Sequence, residues 1–284
     1  MLDDVVGFLA CPRCGAGLAR AGAALRCPAG HAFDIARQGY VSLLPPGEQA
    51  AAGDSAPMVA ARAEFLAAGH YRGLARELAA AARAAIIPAG APGCVLDVGA
   101  GPGYYLAAVL DGLPGRAGLA LDVSKFALRR AARAHPRIGA AAADAWRRLP
   151  VTDGAAAVVL NVFAPRRGAE LRRVLHPAGR LLVVTPNPGH LAELTGPLGL
   201  LSVDPRKEER LAATLGPAFE LTGQGRHEAT LRLNHPGVAA VVGMGPSARH
   251  ADADVLAGQI SQLPASVPVT LSVTLSVFRP APGQ

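Results

Sequence analysis

Four residues near the start of the chain have the types and spacing of a metal site. Cys11-Pro-Arg-Cys14 is a C-x-x-C knuckle, and Cys27-Pro-Ala-Gly-His31 follows it as C-x-x-x-H. Three thiolates and one imidazole make a closed tetrahedral set for Zn2+. Each pair grips the ion from one tight turn, and Gly15 and Gly30 suit the bends. With all four positions filled by protein there is no place for a catalytic water, so the expected zinc is structural. Two alternatives stand beside it. A redox C-x-x-C belongs after a strand at the opening of a helix and needs no second ligand pair. A disulfide set leaves an odd thiol and contradicts a reducing compartment. Cys94, inside the apolar run Cys94-Val95-Leu96, reads as a small core residue.

A second constellation lies further along. Val95-Leu96-Asp97-Val98 leads into Gly99-Ala100-Gly101-Pro102-Gly103, Asp122 closes the next apolar run, and Asp144 closes the one after. The dinucleotide fingerprint is G-x-G-x-x-G, with a pyrophosphate at the helix N-terminus. Here the run is G-x-G-x-G, and Tyr104 stands in place of the third dinucleotide glycine. Asp97 precedes the loop, Asp122 can accept both hydroxyls of a ribose, and Asp144 can accept an adenine amino group. Acids rather than phosphate-binding lysines suit an adenosine joined to a cationic sulfonium, as in S-adenosylmethionine. The alternative for each acid is helix capping, a reading that weakens when three fall at successive strand ends.

Elements must hold these residues in place. Residues 1–44 read as a small zinc-binding β module, ending in short β segments at Phe33-Asp34-Ile35 and Gly39 to Leu44. A module of this size cannot bury enough apolar surface alone, so metal binding must supply folding free energy. Residues 45–56, rich in Pro, Gly and Ala, read as a linker, and 57–284 as the main domain. Met58, Phe65, Leu66, Leu74 and Leu78 suit helices. Strands are then expected at 95–98, 119–122, a third ending at Ala143-Asp144, 157–161 and 180–184, with helices at 104–110 and 124–134 between them. Such alternation implies an α/β, Rossmann-like parallel sheet flanked by helices, with ligands beyond the carboxyl ends of its strands. Further on, a helix is expected from Leu200 to Leu215, a strand pair or long strand from Phe219 to Leu233, two more helices to Leu263, and a strand from Val267 to Phe278.

The bulk numbers bound the answer. At 284 residues with 51% hydrophobic content, a sizeable core forms and wholesale disorder is excluded. No apolar stretch is long enough and charge-free enough to span a membrane. The start MLDDVVGFLA lacks a basic n-region, so the expected location is the cytoplasm. A net charge of +7 favours a polyanionic partner. Two clusters carry much of that charge: Arg129, Arg130, Arg133 and Arg137, and then Arg166, Arg167, Arg172 and Arg173.

These motifs resemble the class I S-adenosylmethionine-dependent methyltransferases, through Val95 to Gly103, Asp122, Asp144 and Leu175-His176-Pro177-Ala178-Gly179-Arg180. With the cysteine module the chain is similar to the 23S rRNA guanine-N1 methyltransferases. The further matches are Gly53-Asp54-Ser55, Ala61-Arg62 and Ala68-Gly69-His70-Tyr71. The similarity is closest to the tylosin-resistance branch, in Arg37 to Val41, Asn161-Val162-Phe163-Ala164-Pro165-Arg166 and Val269 to Thr274. It implies methyl transfer to N1 of a guanine in a hairpin loop of domain II of 23S rRNA, guanosine 748 in that branch, with resistance to tylosin-type macrolides. It also implies a role for the zinc module in RNA recognition.

The resemblance places cofactor contacts at Tyr71, Gly101, Pro102 and His190, which join Asp97, Gly99, Asp122 and Asp144. Without it, Tyr71 and His190 read as packing and surface residues. Ala178 replaces a usual glycine, which is tolerable if that position avoids positive φ. The stretch Gly245 to His250 lacks the aromatic residue of other branches.

N1 of neutral guanine carries a proton that must leave; Asn161, at the fourth strand's end, is placed for a polar substrate contact but an amide is a poor base, and His190 and water are the alternatives. Trp146 and Phe163 have the chemistry to stack on a base, with core packing the alternative for Phe163. A small-molecule methyltransferase and a non-catalytic zinc-dependent RNA-binding protein are the competing readings, and a homodimer is left open.

Overall fold

The computed structural model describes residues 1–45, 53–86, 90–200, 204, 206–245, 247 and 252–282, leaving aside the side chains of 207 and 208. Most of the expected linker, part of the segment from Leu200, and all of Gly245 to His250 except Gly245 and Ser247 lie outside the described residues.

The N-terminal part holds three short antiparallel strands, β1 (Ala19–Ala21), β2 (Ala24–Arg26) and β3 (Ala32–Asp34). The next strand, β4 (Tyr40–Ser42), belongs to a larger sheet with β5 (Cys94–Val98), β6 (Gly118–Asp122), β7 (Ile138–Ala142) and β8 (Ala156–Val162). The remaining members are β9 (Leu175–Pro186), β10 (Phe219–Leu233) and β11 (Val267–Pro280). Their spatial order is β10-β11-β9-β8-β5-β6-β7-β4. β4 to β9 pair in parallel, while β11 runs antiparallel to both β9 and β10. From β5 the chain steps outward to β6 and β7, then crosses back to β8 and β9, so the switch point falls beside β5. Dinucleotide sheets add a sixth strand in order; here a reversed strand is wedged between the fifth and sixth.

Helices α1 (Ala56–Ala67), α2 (Arg72–Ile86), α3 (Tyr104–Asp111) and α4 (Lys125–Ala134) precede α5 (Gly168–Val174), α6 (Ala192–Thr195) and α7 (Lys207–Leu215). Two more, α8 (His235–Gly243) and α9 (Ala253–Ser261), are inserted between β10 and β11. Side chains in the sheet alternate between two layers: Val95 packs with Leu106, Leu110 and Leu128 on one face, Leu96 and Val98 with Leu119 and Val159 on the other. Each fully buried Leu or Val of this kind contributes roughly 1.5–3 kcal/mol. Val5, Leu9 and Leu25 join the second layer, so the N-terminal part shares the sheet's core. A Cβ on Gly139 of β7 would lie 2.2 Å from Val5 Cγ2, which leaves no residue but glycine there.

The element order matches expectation with a few differences. The third expected strand ends at Ala142, so Asp144 sits in the following loop, not at the strand terminus. The expected helix up to Leu215 is helical from Lys207. Phe219 to Leu233 is one long strand, with a bulge between Leu221 and Gly223. Ala178 falls inside β9 and is absent from the positive-φ positions, so its site tolerates a side chain. Among the described residues no helix is long and apolar enough to cross a membrane.

Candidate metal centre and candidate cofactor crevice

The cysteine knuckles fold as two tight turns. Gly15 N–H donates to Cys11 O at 2.8 Å and Gly30 N–H to Cys27 O at 2.9 Å, both glycines at positive φ. The turns bring Cys14 Sγ to 3.7 Å from Cys27 Sγ, and His31 Nδ1 to 3.5 Å from Cys11 Sγ and 3.4 Å from Cys27 Sγ. All four donor atoms lie within 4.8 Å of one another. A tetrahedral zinc with bonds of about 2.3 Å to sulfur separates its sulfurs by roughly 3.8 Å. The donor set therefore fits Zn2+. Cys11-x-x-Cys14 opens no helix, so the redox alternative lacks its setting. Cys94 is fully buried in β5, and burial pushes its thiol up to about 12, as befits an inert core residue.

Beyond the carboxyl ends of β5 and β6 lies a crevice of about 560 Å³. Gly99 and Gly101 form its floor, and both, like Gly103 just beyond, are at positive φ. A Cβ on Gly99 would stand 2.4 Å from Ala164 Cβ, so the loop is drawn against the segment after β8. Asp97, Asp122 and Asp144 all line the crevice, as the sequence predicts.

Their surroundings differ. Asp122 accepts from Gly101 N–H through Oδ2 and from Ser124 N–H through Oδ1, each at 2.8 Å. Asp144 Oδ1 accepts from Trp146 N–H at 2.9 Å, and Arg147 Nε lies 3.6 Å from Oδ2. Those bonds shape turns; the helix cap beside Asp122 is Ser124, so neither acid plays the capping role that was the alternative, and both line the crevice. Asp97 is 1% exposed, and its Oδ1 has no hydrogen-bond partner among the described residues. Burial first, and then the nearby Asp122, push its carboxyl up to about 8.

Two crevice residues carry signals that sequence reasoning passed over. Asp54 and Arg62 form an ion pair at the crevice wall, and Arg62 Nη2 donates to Met244 O at 2.7 Å. Ser55 caps α1 and Ser124 Oγ donates to Asp54 O at 2.6 Å, which folds Asp54 over the crevice. The available signal was the N-cap serine directly after Asp54.

Tyr71 and His190 meet each other, with Tyr71 Oη 3.4 Å from His190 Nε2, and both rings abut Phe163. Neither forms the crevice wall. Ser272 N–H donates to His190 Nδ1 at 3.3 Å, which places the neutral ring's proton on Nε2. Tyr71 is buried, and burial raises its phenol above the ordinary value. Phe163 lines the crevice, is 40% exposed and holds φ at +53°; Trp146 on the same rim is 62% exposed. A bulky residue at positive φ is strained and is held there by its surroundings.

Asn161 differs from expectation. It is fully buried, donates to Val98 O and Pro165 O at 3.2 and 3.0 Å, and accepts from Arg166 Nε at 2.7 Å. All its polar atoms are spent fixing the loop after β8, so it offers substrate nothing.

For an occupant, the crevice supplies four carboxylates, Asp54, Asp97, Asp122 and Asp144, and its two arginines already face Asp54 and Asp144. The balance favours a cation and disfavours a pyrophosphate. An unpartnered buried carboxylate oxygen beside a glycine floor fits the ammonium of an amino-acid moiety.

The sheet with its wedged reversed strand, the glycine loop and the acid-lined crevice at the switch point define a class I methyltransferase. Residues 9–49 match the zinc-ribbon family described as "RlmA, N-terminal". A 23S rRNA (guanine(748)-N(1))-methyltransferase from Streptomyces fradiae is 55% identical over 282 residues, covering 99% of this chain and 100% of the relative. A relative from Micromonospora griseorubida, provisionally named a 23S rRNA (guanine-N(1)-)-methyltransferase, is 53% identical over 99% of this chain and 100% of its own length. A third, from Bacillus subtilis, with a provisional name of the same kind, is 32% identical over 65% of this chain and 66% of its own. The chain belongs to the 23S rRNA (guanine-N1-)-methyltransferase family.

Proposed function

We propose that this protein transfers a methyl group from S-adenosylmethionine to N1 of a guanine in 23S rRNA, the target being guanosine 748 in the domain II hairpin loop. The consequence is lowered sensitivity to tylosin-type macrolides, and the site of action is the cytoplasm. The observation that carries the cofactor assignment is the buried, unpartnered Oδ1 of Asp97, one of four carboxylates that line the crevice. The relatives' names carry the substrate.

When bound, S-adenosylmethionine would supply a methyl group on a positively charged sulfur. Asp97 would hold the amino-acid ammonium, Gly99, Gly101 and Pro102 would let the cofactor approach the backbone closely, Asp122 would accept from the ribose hydroxyls, and Asp144 from the adenine amino group. Tyr71 and His190, outside the crevice wall, back Phe163, whose exposed ring would stack on the extruded guanine. Taking a loop base costs less than taking one from a duplex. His190, with Nδ1 occupied, presents Nε2–H as a donor and is not the acceptor of the N1 proton. Proximity and orientation then lower the barrier. The zinc ribbon, residues 1–44, meets the rRNA beside the crevice.

The test is primer extension on 23S rRNA from cells with and without the protein. N1 methylation blocks Watson–Crick pairing, so a protein-dependent stop next to guanosine 748 supports the reading, and an unchanged ladder overturns it.

A further inference from the structure

Many arginines of this protein have their charge answered locally. Arg62 pairs with Asp54, Arg173 with Glu170 and Asp153, and Arg279 with Glu220, while Arg116 and Arg137 are spent on backbone carbonyls. Five arginines on one face depart from this pattern. Arg72 and Arg76 on α2, and Arg129, Arg130 and Arg133 on α4, have no ion pair or hydrogen-bond partner among the described residues. Arg129 stands with its guanidinium carbon 5.6 Å from the centre of the Phe126 ring, its Nε buried and unpartnered.

The five are connected to the crevice by shape. Pro102 and Tyr104 line both the crevice and a neighbouring groove that holds Arg72, Arg76 and Arg130. Arg130 also lines a second groove, between α1 and α4, with Arg129 and Arg133. Asp111 is the one carboxylate lining either groove among the described residues, and it faces His135 at 3.4 Å. At the other end, a Cβ on Gly39 would touch Ala132 of α4 at 3.8 Å, so the turn that follows β3 abuts the same helix. The face thus runs from the crevice mouth to the zinc ribbon. Its spacing is regular: Arg72 and Arg76, like Arg129 and Arg133, are four apart, one above the other with a rise of about 6 Å.

We infer that this α2–α4 face is a phosphate track that binds the backbone of the rRNA flanking the target base, joining the crevice to the zinc ribbon. The inference rests on the functional reading above and deepens it by naming the surface that holds the substrate. Unanswered guanidinium groups are the groups that bind phosphate with displacement of counterions. They position the RNA without reading its sequence.

The experiment titrates a transcript of the 23S rRNA domain II hairpin against the full-length protein at several salt concentrations, and scores methylation of the same transcript. Arg130→Gln/Arg133→Gln and Arg72→Gln/Arg76→Gln should each weaken binding by about tenfold and lower the log–log salt slope by about two. Arg130→Lys/Arg133→Lys should recover most of the slope, which a merely structural defect would not. Arg83→Gln, further along α2, should change neither. Binding of S-adenosylmethionine by calorimetry checks that the crevice is intact in each variant. A slope equal to that of the unaltered protein overturns the track, as does a change in sedimenting mass with RNA binding unchanged, which would make the face a contact between copies. If the unaltered protein binds the transcript through these arginines but does not methylate it, the track stands and the proposed function falls. If it does not bind, both fall.

Discussion

The backbone N–H of Gly101 donates to Oδ2 of Asp122 at 2.8 Å, so the glycine loop after β5 and the acid at the end of β6 form one rigid piece. The same carboxylate takes the N–H of Ser124 at the start of α4. Three segments are thereby tied at the crevice before any ligand enters, and the cost of ordering them is not charged to binding.

Asp97 should make cofactor affinity depend on pH. Burial and Asp122 hold its carboxyl at about 8, so a proton competes with a bound cation below that value. Between pH 7.5 and 5.5 the dissociation constant for S-adenosylmethionine should rise by up to about tenfold per unit, and Asp97→Asn should bind weakly with a flat profile. Calorimetry across this range decides it. The same shift has a stability consequence of opposite sense. The folded protein without ligand binds the extra proton, so Asp97's contribution is fully present below its unfolded value and is lost as pH rises through about 8.

Gly99→Ala meets two obstacles, the positive φ and the 2.4 Å approach to Ala164 Cβ. It should cost roughly 1–3 kcal/mol in urea unfolding and reduce cofactor binding. Adding Ala164→Gly removes the collision but leaves the φ, so the pair should recover only part of the loss. Full recovery would show that the backbone conformation is not a constraint.

Phe163→Ala should lower kcat/KM on the rRNA transcript about 10- to 100-fold, in line with the loss of one base-stacking contact. Calorimetric affinity for S-adenosylmethionine should move little. An equal loss in both would place the ring against the cofactor alone.

Glu170 anchors the loop that carries Asp144 and Trp146. It accepts from Leu149 N–H at 2.8 Å and pairs with Arg173, which also donates to Leu149 O and Val151 O. Burial pushes its carboxyl up, but Arg173 and the Leu149 N–H outweigh burial and hold it below the ordinary value. Its contribution is therefore present above its unfolded value and lost as pH falls through the lowered one. Glu170→Ala should destabilise by about 2 kcal/mol near pH 7, since Arg173 and Leu149 lose their partner. The difference from the unaltered protein should shrink at pH 3, measured by urea unfolding.

Chelation of the zinc should loosen more than the ribbon. β4 is the last strand of the ribbon segment and pairs Tyr40 with Ala140 of β7. Hydrogen exchange should therefore speed up at the sheet edge, at Tyr40 to Ser42 and Ile138 to Ala142, as well as around Cys11 and His31. Exchange confined to the ribbon would mean that the edge strand holds without metal.

Local patterns made much of this legible. The knuckles, the glycine loop and the acids at the carboxyl ends of β5 and β6 are set by residues adjacent in sequence, and their geometry followed. Relationships between distant segments were harder to read. Asp54 reaches the crevice through Ser124, seventy residues away, and nothing in a Pro-, Gly- and Ala-rich stretch announces that bond. Asn161 read as a substrate contact because it ends a strand, but three partners reached through the folded loop consume it. Asp144 needed the exact end of β7, and strand ends depend on pairing rather than on the residue itself.

The place of β4 bears on how the chain is made. Its partner Ala140 is synthesised one hundred residues after Tyr40, and parallel pairings so far apart in sequence form late. Throughout that interval the leading segment has no sheet to join. A metal ion captured by Cys11, Cys14, Cys27 and His31 would keep it compact during translation, delivering a preformed edge to the nascent core once β7 emerges.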